Sequence, residues 1–350
     1  MLYKILRGIY DFFIFFLTKK LNKEKFLFYS NIYSGFKSII NILISGLILI
    51  FLNRFFDIPF FADWLLFGCL FAVISTFDSW LIFRKTKAMR NLSMTNKEYI
   101  FHCIKNYVVT SLFFFVIALG KNLLMDKDDF TFIVGILSIS WIVQFASPYL
   151  TKSSNKITKF ENEEMIKKLS EICPRKFKIF VYEGSKQKSA NAIATGTFLN
   201  RHIFISTYFL ENSTEDEIFA ILLHECGHCE FFDLEKRVLY SNVWITFYFI
   251  ATCFMDYFKI EILPGFIFLG VCLVSCMSLY KWIQRFQEYR ADRYSVNNSE
   301  NKNALSSALE RMYILNDMGK KKGVFWNIIS SHPIYKKRIN RINSINLEKE

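Results

Sequence analysis

Six stretches of the chain are each apolar over about 20 residues, and they constrain its fold more than any other feature of the sequence. A helix needs about 20 consecutive apolar residues to cross the hydrocarbon core of a bilayer. With 52% hydrophobic, 18% aromatic and 21% charged residues, the chain is too apolar for a soluble protein. The predicted membrane spans are residues 36–56, 61–83, 104–125, 130–150, 238–258 and 262–282.

Lysine and arginine are distributed unevenly between the segments that flank these spans. Residues 1–35 and 84–97 are rich in both, whereas the short loops 126–129 and 259–261 carry little net positive charge. Because positively charged loops stay in the cytoplasm, we expect both chain ends and the residues from about 151 onward to be cytosolic. The net charge of +13 then favours contact with the anionic lipid bilayer. No nucleic-acid-binding motif accompanies this charge, and we predict no nucleic-acid partner.

The segment from His224 to His228 reads His-Glu-Cys-Gly-His, the HExxH pattern of zinc sites. Residues four apart share one face of a helix, so both imidazoles can reach a single tetrahedral Zn²⁺. Glu225 lies between them, where it can act as a general base on water. Cys226 and Cys229 also spell CxxC, which leaves a thioredoxin-like or zinc-knuckle site as an alternative. Packing is the favoured role of these cysteines, because helix geometry turns them away from the histidines.

The residues before His224 predict a buried helix. Thr214 and Glu217 make a capping box, and the acids at 215–217 suit the positive end of the helix dipole. Residues 218–223 are all apolar and lead directly into His224. A single histidine after such a run is more often a core residue, but the HExxH spacing favours a metal ligand.

Glu288 is the best candidate for a third ligand of the metal. A His/His/Glu set leaves the fourth position open for water, as in catalytic zinc sites. Asp292 lies one helical turn further on and can accept a hydrogen bond from a ligating histidine. The alternative is a solvated helix on which Arg290 and Arg293 balance the two acids.

Four segments resemble, in order, the motifs of the integral-membrane zinc metallopeptidases that include bacterial HtpX and the eukaryotic CAAX prenyl protease. Residues 191–196 resemble the NAxAxG segment, and residues 224–228 are the HExxH motif. Residues 288–292 match ExxxD, and residues 331–339 resemble the terminal SHPxxxxRI. The resemblance covers about residues 155–345. Within it, family members more often carry an apolar residue than a cysteine at the third position of HExxH.

The resemblance implies a role for each residue of the site. It implies one Zn²⁺ per chain, with His224, His228 and Glu288 as its ligands. Glu225 would be the general base, and Asp292 the partner of a ligating histidine.

The resemblance also implies which residues meet the substrate. Asn191 and His332 would line the substrate cleft, and we expect Ala192 and Arg338 to bind substrate as well. His332 would be catalytic, as a hydrogen-bond donor to the developing oxyanion. The alternative for His332 is an ordinary loop histidine before Pro333.

The fold class implied is an α-helical membrane protein with about six spans and a cytosolic α+β, zincin-like metallopeptidase domain. Residues 1–150 would form an N-terminal membrane region, in which the short apolar stretch 9–17 is interfacial. Residues 151–350 would form the metallopeptidase domain, interrupted by a transmembrane hairpin at about 238–282.

Local patterns predict the elements that lead to the HExxH helix. We expect a helix over 156–172, a strand over 177–182, and a hairpin of residues 193–199 with 202–206. A substrate could then bind in extended form beside the strand at 191–196.

These expectations predict a membrane-bound zinc metalloendopeptidase of the plasma (inner) membrane. Glu288 follows the last predicted span by about six residues, or ~9 Å of helix, so the active site would lie just below the cytosolic membrane surface. Its partners would be peptide or membrane-protein substrates, and it would hydrolyse membrane-associated or misfolded membrane proteins. Three alternatives remain: a maturation protease for a prenylated or secreted peptide, a membrane sensor-transducer, and a catalytically dead scaffold.

Overall fold

The computed structural model describes residues 60–107, 157–198, 200–258, 262–318 and 332–347, with isolated positions between 26 and 56 and between 135 and 142. The chain divides into two compact units, Met1–Phe132 with Asp317–Gly319 and the remainder. The interfacial segment predicted at 9–17 and most of the spans predicted at 104–125 and 130–150 lie outside the described residues.

The first unit contains one long apolar helix, α1, over Phe60–Arg90. Within the described ranges, Leu65–Arg90 is the one helix that is long and apolar enough to cross a membrane. The predicted number of six spans is therefore not confirmed. The span predicted at 61–83 lies inside α1, and a further helical segment covers residues 96–107.

The second unit contains a four-stranded sheet with the order β1-β2-β4-β3. Strands β2 and β4 are parallel, while β1 with β2 and β3 with β4 are antiparallel. Among the described residues, this order puts β3 at one edge of the sheet, next to β4 alone. The strands are β1 (Ile157–Lys159), β2 (Lys178–Tyr182), β3 (Ala192–Thr195) and β4 (His202–Ser206).

Seven helices complete the second unit among the described residues. The spans predicted at 238–258 and 262–282 begin within α5 and α6, and α6 continues without a break to Asn298. The glutamate predicted as third ligand therefore lies on the same helix as the last predicted span. The helices are α2 (Glu163–Ile172), α3 (Thr207–Glu211), α4 (Glu215–Glu230), α5 (Asp233–Tyr257), α6 (Ile262–Asn298), α7 (Ala304–Leu315) and α8 (Tyr335–Leu347).

Residues 157–159, predicted as part of a helix, form strand β1 instead, and two element boundaries differ by more than one residue from the sequence-based predictions. The helix predicted from residue 156 begins only at Glu163, because the Asn162 side chain accepts a hydrogen bond from the Met165 amide and caps the helix there. The first strand of the predicted hairpin ends at Thr195 rather than at residue 199. Positive φ angles at Gly196 (90°) and Phe198 (51°) turn the chain out of extended geometry.

Helices α4 and α6 approach closely at Gly227. A β-carbon at this position would lie 3.2 Å from the Ala291 Cα and from the Tyr294 Cβ. Two turns before Gly227 on α4, the Ala220 carbonyl accepts a 2.6 Å hydrogen bond from the Ser295 hydroxyl of α6. The close approach brings the face of α6 that carries Glu288 and Asp292 against the face of α4 that carries the two histidines.

Candidate active site

The capping box predicted at the start of α4 is confirmed. The Glu217 carboxylate accepts from the Thr214 amide at 2.9 Å, and the Thr214 hydroxyl accepts from the Glu217 amide at 3.3 Å. Glu217 also accepts from Ser307 at 2.5 Å and from Arg311 at 2.7 Å, both on α7. These contacts fix the start of α4 against α7, and with it the direction of the helix that carries the histidines.

His224, His228 and Glu288 converge on one point, as predicted from their spacing. The Nε2 atom of His224 lies 3.6 Å from Glu288 Oε2, and that of His228 lies 3.4 Å from Glu288 Oε1. All three side chains are buried, and their ligand atoms lie within 4.8 Å of one another. Ligand atoms ~2.0 Å from a tetrahedral Zn²⁺ are separated by roughly 3.3 Å. The two histidine–glutamate separations of 3.6 and 3.4 Å are close to this value, so the three residues fit the ligand set of a zinc ion.

A carboxylate lies beside the second nitrogen of each histidine. His224 Nδ1 lies 2.9 Å from Asp292 Oδ1, the partner expected from the sequence. His228 Nδ1 lies 2.9 Å from Asp233 Oδ2, on the first residue of α5. A proton on Nδ1 leaves Nε2 as the metal-binding atom. Sequence reasoning missed Asp233, although an acid five residues after His228, at a helix start, was the available signal.

Arginines neutralise the two carboxylates. Arg338 donates to Asp292 through Nε at 2.9 Å and Nη2 at 2.5 Å, and its Nη1 lies 3.4 Å from Glu288 Oε2. Arg290 donates to Asp233. Arg338 is only 7% exposed and contacts Glu288 and Asp292 from the protein interior. The sequence-based expectation was that it lines the substrate cleft.

The carboxylates also change the proton affinity of the histidines. Burial lowers the pKa of His224, but Asp292 and Glu288 outweigh it and raise the pKa to about 10. Burial likewise lowers the pKa of His228, whereas Asp233 and Glu288 raise it, with a net rise. A metal ion must therefore compete with protons that the carboxylates stabilise on the imidazoles.

Glu225 is buried beside the edge strand of the sheet. Its Oε2 atom accepts a 2.7 Å hydrogen bond from the backbone amide of Ala194 on β3. The sequence offered no partner for this carboxylate, because the contact joins residues 31 positions apart. The bond fixes one oxygen of this carboxylate against the edge strand β3.

The remaining predicted residues surround this cluster in different ways. His332 Nδ1 lies 2.9 Å from Glu288 Oε2, and the His332 side chain is 64% exposed. Asn191 is exposed at the start of β3, whereas the Ala192 side chain is buried. Cys226 is fully buried in the core, away from the ligand atoms, which agrees with a packing role.

The arrangement of ligands and base has a counterpart in a known family. The family described as peptidase family M48 matches residues 157–346, which is more than half of the chain. The chain belongs to peptidase family M48. The matched region contains every residue of the site described above.

Curated members of the M48 family share limited identity with this chain. CAAX prenyl protease 1 of Saccharomyces cerevisiae is 33% identical over 120 residues, which cover 33% of this chain and 26% of that protein. Protease HtpX of Pseudoalteromonas atlantica is 29% identical over 178 residues, which cover 44% of this chain and 61% of that protein. The chain thus spans between a quarter and three fifths of the length of these two relatives.

A solved structure shares the fold of this M48 member. The crystal structure of S. mikatae Ste24p superposes with a TM-score of 0.64 and 20% sequence identity. The superposition covers 91% of this chain and 82% of Ste24p. At this identity the similarity shows a common fold, and the chemistry is argued from the residues themselves.

Proposed function

We propose that this chain is a membrane-bound zinc metalloendopeptidase that cleaves membrane-associated or misfolded membrane proteins at the cytosolic face. One observation carries the proposal. The Nε2 atoms of His224 and His228 converge on Glu288, and Glu225, between them in the sequence on the same helix, is hydrogen-bonded to the edge strand β3. This is the geometry that zinc-dependent hydrolysis of a peptide bond requires.

His224, His228 and Glu288 would hold the zinc. When bound, zinc polarises the scissile carbonyl and makes water more acidic. Asp292 and Asp233 keep the two imidazoles oriented, with Nε2 toward the ligand position. Because Arg338 and Arg290 neutralise these acids, the protein can bury three carboxylates in one small volume.

Glu225 would take the proton from the attacking water and pass it to the leaving amine. The Ala194 amide occupies Oε2, so the proton would be carried on Oε1. A buried, oriented carboxylate does not have to reorganise during the reaction. We expect His332 to donate a hydrogen bond to the developing oxyanion from Nε2, while its Nδ1 stays near Glu288.

The open edge of β3 supplies the peptide-binding surface that we propose. The Ser206 amide donates to the Asn191 carbonyl at 2.9 Å, so Asn191 is hydrogen-bonded to β4. Backbone groups alternate along a strand, and those of Ala192 and Ala194 therefore face the open edge. The Ala194 amide bonds to Glu225 there, which supports the proposal that a peptide added to β3 passes beside the base.

The surface of α5 supports the placement of this helix in the bilayer. Four large apolar side chains on α5 are between 43% and 59% exposed and recur every three or four residues. Such spacing makes an apolar stripe along one face of a helix. Lipid acyl chains contact such a stripe without the free-energy cost of exposing it to water. The stripe consists of Leu239, Val243, Phe247 and Ile250.

Replacing Glu225 by Gln tests the hydrolase mechanism. The variant keeps the shape of the side chain but removes the base, so cleavage should fall by ~10²–10⁴-fold while zinc content and folding persist. His332→Ala should cost ~10²-fold, again without metal loss. The assay is cleavage of an unfolded membrane protein in proteoliposomes, with zinc measured on the same samples. Cleavage by Glu225→Gln at the native rate would overturn the role of Glu225 as the base, whereas a native chain that binds zinc and cleaves nothing would favour the scaffold alternative.

A further inference from the structure

A basic pocket lies between α5, α6 and α8, apart from the proposed zinc ligands. Its volume is about 340 Å³. Four cationic side chains line it, Lys236 from α5, Arg290 and Arg293 from α6, and Arg341 from α8, and its lining contains no Asp or Glu. A concave site of this charge selects an anion.

Buried hydrogen-bond donors in the lining have no acceptor among the described residues. Gln287 is 4% exposed, and its Oε1 accepts from Arg237 at 3.1 Å, but its amide nitrogen has no partner there. The Nε atom of Arg290 is buried and unpaired as well, although this side chain also donates to Asp233. Buried donors of this kind are normally satisfied. Gln287 and Arg290 both line the pocket, so the donors that lack an acceptor belong to residues around this site.

One side of the pocket is apolar and lies at the predicted membrane boundary. Ile283 and Phe286 line it, and Phe286 is 53% exposed. Ile283 directly follows the predicted span 262–282, and Lys236 lies two residues before the span 238–258. Cationic and aromatic residues at such a boundary meet lipid headgroups on one side and the start of acyl chains on the other.

We propose that this pocket binds the phosphate headgroup of an anionic phospholipid, with the lipid glycerol and first acyl carbons against Ile283 and Phe286. Arginine forks match phosphate oxygens in pairs, and a volume of about 340 Å³ admits a headgroup but not a whole lipid. The inference rests on the membrane placement in the proposed function, and it is independent of peptide hydrolysis.

Binding to the full chain in a neutral detergent tests the inference. The probes are dioctanoyl phosphatidylglycerol, dioctanoyl phosphatidylcholine, glycerol phosphate and inorganic phosphate, with affinity measured by calorimetry. Phosphatidylglycerol should bind at least tenfold more tightly than each of the others. Equal binding of phosphatidylcholine would overturn the anionic-headgroup assignment. Equal binding of inorganic phosphate or glycerol phosphate would identify a soluble phosphate as the ligand and overturn the lipid assignment.

Variants of the lining make the test specific. Arg293 and Arg341 are exposed and have no carboxylate partner in the part of the chain that the structure describes, so changing both to Gln should leave folding intact. Phosphatidylglycerol affinity should fall on the order of 10- to 30-fold, since each cation beside an anionic headgroup contributes about fivefold. Arg285→Gln is the control for each single change, Arg293→Gln or Arg341→Gln, because it removes one arginine charge from α6 outside the lining. An equal loss in this control, or none in the double variant, would overturn the site.

Two further variants test how the lipid is oriented and whether its binding is separate from hydrolysis. Phe286→Ala should weaken phosphatidylglycerol several-fold and leave glycerol phosphate unchanged, because only the lipid has acyl carbons to contact this ring. An unchanged lipid affinity would contradict the proposed orientation. Glu225→Gln should bind phosphatidylglycerol as the native chain does. A failure of the hydrolase mechanism is thus distinguishable from a failure of the lipid site.

Discussion

His228 Nδ1 lies 2.9 Å from Asp233 Oδ2, and this contact joins the HExxH helix to the first residue of the next helix. It gives His228 the same kind of support that Asp292 gives His224. Asp233 in turn accepts from Arg290, which also lines the basic pocket. The two histidines proposed as ligands are therefore each next to a separate carboxylate, one on α5 and one on α6.

Replacing Asp233 by Asn should weaken zinc binding by about 10- to 100-fold, because the His228 ring loses its charged acceptor. Zinc affinity measured by competition with a fluorescent chelator checks this. Asp292→Asn should have a similar effect through His224. Asp216→Asn is the control, since this exposed acid contacts Asn301 and lies on the far end of α4. Native affinity in Asp233→Asn would show that the contact does not support the ligand.

Zinc affinity should continue to rise at pH values well above those at which an ordinary histidine loses its proton. The pKa of His224 is raised to about 10, so a proton must leave this ring on metal binding at neutral pH. Affinity should therefore increase up to tenfold per pH unit between pH 7 and 9. With an unshifted pKa of ~6.5, it would level off near pH 7.5.

Asp292→Asn provides the control for this pH dependence. The substitution removes a carboxylate that raises the pKa of His224, so the rise in zinc affinity should end at lower pH. Chelator competition at pH 7, 8 and 9 on both proteins makes the comparison. A native profile that is flat over this range contradicts the raised pKa.

Arg338→Gln should lower stability and zinc affinity together. The change leaves Asp292 and Glu288 without their buried counter-ion, a loss that typically costs about 3–5 kcal/mol. Arg338→Lys should restore part of both, because it returns the charge without the paired geometry. Thermal unfolding and zinc content are the readouts. If Arg338 instead bound substrate, as its sequence motif suggested, KM would rise while both readouts stayed native.

The lysine and arginine distribution predicts a cytosolic active site. A cysteine placed at position 160 or 320 should then resist an impermeant thiol reagent added to intact cells. A cysteine in place of Asp128, within the loop predicted to lie outside, is the positive control. Labelling at 160 or 320 with no labelling at 128 would show that the chain has the opposite orientation in the membrane.

The sequence predicted those helices and strands that depend only on residues close to one another along the chain. The capping box of Thr214 and Glu217 sets the start of α4, and the four-residue spacing puts His224 and His228 on one face. The strand at 178–182 and the hairpin partner at 202–206 follow from short runs rich in β-branched and aromatic residues. Helix periodicity, capping and strand composition depend on neighbours within a few positions, so the sequence by itself determined them.

The contacts between elements were decided by the tertiary structure. Three contacts each join residues from different elements. They are His228 with Asp233, Arg338 with Asp292, and the Ala194 amide with Glu225. Such pairings depend on which helix faces pack and how closely. The close approach of α4 and α6 at Gly227 sets that distance, because a side chain there would push the two helices apart. The sequence by itself supplied the ligands and the base, and only packing determined which neighbours hold them in place.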